Sequence, residues 1–123
     1  MRRYVDLAER LRAAALNGRG ETAAGLRQAV AAHAARLGGL PETPVKAEAI
    51  PAALREFVDA TARHAYRVLD EDVQALRQAG YSEDAIFEIA ISVAVGGGLA
   101  RLERGLAALD AAAVPAAPDG GRR

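Results

Sequence analysis

Two residues in this chain have the side chains and the surroundings to move protons, His64 and Glu88. Glu88 interrupts a run from Ala85 to Ala100 in which it and Ser92 carry the only polar side chains. On a helical wheel it shares an arc with Ser92, Val95 and Leu99, so part of it must be buried. A buried carboxylate either finds a partner or takes up a proton, and desolvation is expected to raise its pKa toward the range of a general acid or base. The alternative is a structural ion pair or hydrogen bond, with Arg63, Arg67 or Arg101 as donor. His64 shares a stripe with Phe57, Thr61 and Val68, a place suited to a catalyst or to a satisfied core or interface histidine. His64 and Glu88 are the best acid-base pair on offer and the expected catalytic residues. Tyr66, Asp72, Ser92 and Gly96 are the expected ligand-pocket residues beside them.

Other chemistries find no footing. Without cysteine there is no disulfide, no thiolate nucleophile and no cysteine-bound metal. The two histidines, His33 and His64, stand in separate segments with no ligand cluster at helical spacing around either, so neither a metal nor a cofactor is expected. No Gly-x-Ser-x-Gly is present. Sixteen basic and sixteen acidic residues give a formal charge of zero, which argues against nucleic acid or an acidic membrane as partner. Residues 72 to 89 are spaced like a helix-turn-helix, yet the second helix opens with Glu83, Asp84 and Glu88 and no lysine or arginine, so phosphates would repel it. Asp6, Glu9 and Arg10 occupy what would be the apolar core of a signal peptide. A cytoplasmic protein is expected. Ala85 to Ala100 is shorter than the ~20 residues of a membrane span, which reads as a core helix and not a membrane helix.

The elements that must position these residues are all helical. Tyr4, Val5, Leu7, Ala8, Leu11, Ala15 and Leu16 recur at three and four residue steps and predict a helix over residues 2 to 17, stopped by Asn17-Gly18. Leu26, Val30, His33, Ala34 and Leu37 mark a second, closed by Gly38-Gly39. After a connector with two prolines, Pro51 suits the first turn of a third helix running to about Leu69. Asp70 is the expected N-cap of a short fourth helix ending near Gly80, and Ser82 that of a long fifth reaching Asp110. No alternating runs of β-branched residues suggest a strand. The prediction is all-α, five helices in one domain over residues 1 to 110, with a long buried C-terminal helix and a disordered tail over 111 to 123.

Gly96-Gly97-Gly98 lies inside that long helix. Each glycine costs about 1 kcal/mol against alanine there, roughly 3 kcal/mol together. Ser92, Gly96 and Ala100 stand four apart, a ridge of small residues that would let a neighbouring backbone come nearer than the usual roughly 8 to 10 Å. Packing within or between subunits explains such a ridge; a ligand lying on bare backbone is the other explanation.

A short acid-capped helix ending in Ala79-Gly80, then Tyr81-Ser82-Glu83-Asp84-Ala85-Ile86 and a glycine-interrupted apolar helix, resembles the AhpD-like alkylhydroperoxidase and carboxymuconolactone decarboxylase superfamily over about residues 50 to 110. Redox members carry Cys-x-x-Cys-x-x-x-His before the short helix. By the family's spacing Asp72 falls at the histidine position and Val68 and Ala65 at the cysteines, so thiol peroxidase chemistry does not carry over. The resemblance implies a decarboxylase-like protein without the redox motif, either a thiol-independent small-molecule enzyme or ligand-binding protein, or a non-catalytic helical interaction module. It also implies a homo-oligomer, a trimer or hexamer, with pockets near subunit contacts. Such contacts would enclose a helix too apolar for a small monomer to hide.

Overall fold

The computed structural model describes residues 2 to 113, apart from the side chains of Arg2, Ala47 and Tyr66. Five α-helices follow one another: α1 (Arg2–Leu16), α2 (Ala24–Leu37), α3 (Ala52–His64), α4 (Asp70–Gln78) and α5 (Glu83–Ala113), with short 3-10 turns at Ala47–Ala49 and Ala65–Arg67. The described residues contain no strand. The fold is all-α, as the periodicity predicts.

The architecture is built around the contact of α2 with α5. A Cβ placed on Gly96 would lie 2.1 Å from the Ala31 carbonyl oxygen, and one on Gly38 would lie 2.8 Å from that of Gly97. The backbones therefore touch, and only glycine permits it. On α2 the facing residues Val30, Ala31 and Ala34 are buried, and on α5 so are Ser92 and Ala100. The small-residue ridge thus packs within the chain. Leu54, Phe57 and Val58 of α3 and Leu76 of α4 close over Ile86, Ile89 and Val93 to complete the core. Each fully buried Leu or Ile contributes about 1.5 to 3 kcal/mol, which offsets the glycine deficit within a few residues.

Three boundaries differ from expectation. The third helix stops at His64, whose φ of −146° and ψ of 60° leave the helical region, and a 3-10 turn carries the chain to Arg67. Downstream, the Asp72 carboxylate accepts the Leu69 N–H at 2.8 Å, and the extended Leu69, not Asp70, is the N-cap of α4. At the other end α5 passes Asp110 and reaches Ala113. Residues 111 to 113 of the expected tail are therefore helical, and 114 to 123 lie outside the described residues. Ser82 caps α5 as expected, its Oγ accepting the Ala85 N–H at 3.1 Å.

Because α5 is this long, length alone does not set it apart from a membrane span, as the shorter run had implied. It is long and apolar enough to cross a bilayer, and 44% of its most apolar window is buried inside the chain. Its other side, with Phe87 65% and Leu109 63% exposed, is uncovered by its own chain.

Candidate functional site

Glu88 projects from the first turns of α5 into the loop between α1 and α2. One carboxylate oxygen accepts the Glu21 N–H at 2.8 Å. The other accepts the Thr22 N–H at 2.9 Å and the Thr22 hydroxyl at 2.6 Å. Gly20 makes room, since a Cβ there would come within 2.6 Å of the carboxylate. Arg27, almost wholly buried, holds the end of α1 and the same loop, donating to the carbonyl oxygens of Ala15 at 2.8 Å and of Gly18. The carboxylate thus takes the loop's amide donors while the guanidinium takes its carbonyls.

These contacts overturn the expectation that burial raises the Glu88 pKa. Its pKa is lowered, not raised: the Thr22 hydroxyl favours the charged form most, the Glu21 and Thr22 N–H groups and the nearby Arg27 charge add to this, and desolvation opposes without prevailing. The donors come from a loop in place of the expected arginines, because two adjacent backbone N–H groups and a hydroxyl converge on the carboxylate there. A carboxylate so engaged is ionised well below neutrality and is poorly placed to relay protons.

His64 also departs from expectation. It is exposed at the end of α3, where the helix breaks, six residues beyond Val58, the last buried residue of that helix. Helices α3 and α5 meet through Leu54, Phe57 and Val58, and His64 is not among the groups that hold Glu88. The expected ligand-pocket residues are dispersed as well. Asp72 caps α4 and lines a groove between α3 and α4. Ser92 is fully buried, its hydroxyl donating to the Glu88 carbonyl oxygen at 2.8 Å, so it faces its own helix and no pocket. Gly96 touches Ala31 and borders a different hollow, of about 350 Å³, between α1, α2 and the Leu40 to Thr43 segment. The Tyr66 side chain lies outside the described residues.

One polar pair was missed. His33 Nε2 and Asp59 Oδ1 lie 2.6 Å apart across α2 and α3. They border a hollow of about 210 Å³ with Arg36, Val45, Ile50, Arg55 and Val58. The only signal for it in the sequence is that each residue falls at the margin of its helix's apolar face, which identifies neither as the other's partner. Among the described residues no group of three or more His, Cys, Asp or Glu stands ready for a metal ion. Compared with known proteins, the chain matches no family model, no curated protein and no solved structure.

Proposed function

We propose that this chain is a cysteine-less protein of AhpD-like helical architecture that works in the cytoplasm as a self-assembling, non-catalytic interaction module. The observation that carries this reading is the outward arc of α5. Phe87, Ile91, Ala94, Gly98, Leu102, Gly105 and Leu109 recur at three and four residue steps, all are exposed, and no charge interrupts the arc except Arg101 at its edge. A water-facing helix ordinarily carries its charges there, and an apolar strip this continuous marks a protein contact.

A second copy fits it. An antiparallel pairing of two α5 helices about a twofold axis near residues 91 to 94 sets Phe87 of one copy over Gly98 of the other, whose missing Cβ faces open space. It also brings Arg101 level with Glu83 and Asp84 across the axis, so the same patch is complementary to itself in size and charge, as a twofold contact requires. The alternative, a thiol-independent decarboxylase-type enzyme, loses its acid-base pair because Glu88 is bound into a loop that His64 does not share.

Light scattering on a sizing column tests the proposal. The unmodified protein is expected to run as a dimer or larger, and Phe87→Glu to run as a folded monomer, since a charge would be buried within the contact against Gly98 of the other copy. A wild-type protein that stays monomeric at every concentration would overturn it.

A further inference from the structure

Asn17 is the only asparagine of the chain, and glycine follows it. Asparagine is a thermolabile residue, because the main-chain nitrogen of the next residue can attack its side-chain carbonyl carbon. Glycine hinders that nitrogen least, having no Cβ and the freest backbone. A fold withholds this reaction when it buries the amide or ties the next N–H into a helix, and this fold does neither. Asn17 and Gly18 are both exposed. The Asn17 N–H donates to the Ala13 carbonyl oxygen at 3.0 Å and closes the last turn of α1, but among the described residues no backbone acceptor takes the Gly18 N–H. Gln28 Nε2 donates to Asn17 Oδ1 at 2.9 Å, which polarises the carbonyl at the oxygen where negative charge would develop.

We infer that Asn17-Gly18 is a self-modification site, which converts with time to an aspartyl or isoaspartyl linkage and so loosens α1 from the rest of the fold. The Gly18 nitrogen gives up its proton to water or hydroxide and bonds to Asn17 Cγ. The bond from Cγ to Nδ2 breaks, ammonia leaves, and a cyclic imide remains. Water then opens the ring, at Cγ to give aspartate or at the main-chain carbonyl carbon to give isoaspartate, in which the chain runs through the former side chain. Nothing is oxidised or reduced. The place makes the change consequential: Leu16 is the one buried residue of α1 among those described, so that helix relies on the loop behind it. Arg27, 3% exposed, holds the Gly18 carbonyl oxygen, and Glu88 holds the N–H groups of Glu21 and Thr22. An isoaspartyl link adds a methylene to the main chain just before Gly18, which draws that carbonyl from Arg27 and leaves a buried donor unpaired. Either product also sets a carboxylate at the C-terminal, negative end of the α1 dipole.

The reaction does not depend on the α5 arc or on any assembly, and mass spectrometry can follow it. Trypsin releases residues 13 to 19 as one peptide with no second side-chain amide. In folded protein held at mildly alkaline pH, that peptide is expected to gain the mass of an amide turned into an acid, at least as fast as the same peptide free in solution. A Cβ on Gly18 would lie 3.2 Å from the Ala14 carbonyl oxygen, so alanine needs only a small shift there. Gly18→Ala is expected to slow conversion about tenfold or more, since its methyl group hinders the attacking nitrogen, with circular dichroism confirming that the variant folds. Converted protein is expected to exchange its amide hydrogens over α1 faster than unconverted protein does. The inference fails if the folded chain converts more slowly than the free peptide, if Gly18→Ala converts as fast as the wild type, or if conversion leaves exchange over α1 unchanged.

Discussion

Glu88 acts as a clamp. Three hydrogen bonds from Glu21 and Thr22 converge on a charged acceptor, and bonds to ionised groups are the stronger kind. Replacement by glutamine keeps the shape but presents an amide NH2 to at least one of those donors. Glu88→Gln is expected to cost about 1 to 3 kcal/mol at pH 7, read from urea unfolding midpoints. The pH dependence has a definite sign. A carboxyl group whose folded pKa lies below its unfolded value stabilises the fold above the unfolded pKa, about 4.3 for glutamate, and loses that contribution as pH falls through the folded value. The gap between wild type and Glu88→Gln is therefore expected to be full at pH 7 and to close below about pH 4. A gap unchanged at pH 3 would show that the lowered pKa plays no part in stability.

Helix α5 is shaped by two kinds of glycine. Gly96 lies against Ala31, with backbone atoms where its Cβ would be; a Cβ on Gly105 would meet nothing within 4 Å. Alanine raises intrinsic helix propensity by about 1 kcal/mol at either place. At Gly96 that gain is outweighed by separating two packed backbones, a cost at or above the upper end of the ~1 to 3 kcal/mol of ordinary overpacking. Thermal unfolding is expected to show Gly96→Ala destabilised and Gly105→Ala stabilised. The same sign for both would remove the contact of α2 with α5 as the reason for the glycine run. Asp72 acts at the element scale too, since it caps α4 by accepting the Leu69 N–H. From the sequence alone, the Pro51 start and the apolar stripe of α3 were legible, while its end was not, because the stripe runs on to Val68, past the break at His64.

At the scale of the whole molecule α5 has a covered side and an open one. The covered side joins α1, α2, α3 and α4 to α5. The open side is the arc from Phe87 to Leu109, together with Tyr4, Leu7 and Leu11 of α1, 46 to 53% exposed. If a second copy covers the arc, native stability contains an association term, and the unfolding temperature is expected to rise with protein concentration. A temperature that does not change over a hundredfold range would speak against assembly. Phe87→Glu should flatten this dependence while preserving the helical spectrum.

Local order was written into the chain. Periods of three and four apolar residues, Ser82 before α5, Pro51 before α3 and the glycines after α2 and α4 specify five helices and most of their ends, because helix formation and capping depend on neighbours within one turn. The odd polar residue in the long helix, Glu88, was equally visible, as was its need for a partner. Which partner it has was decided by tertiary structure alone. Glu88 lies 66 positions from Thr22 and His33 lies 26 from Asp59, and no periodicity relates groups that distant; only the docking of α2 on α5 and α3 brings them together. The direction of the Glu88 pKa shift follows for the same reason, since burial is readable from a helical wheel and a converging set of N–H donors from a folded loop is not.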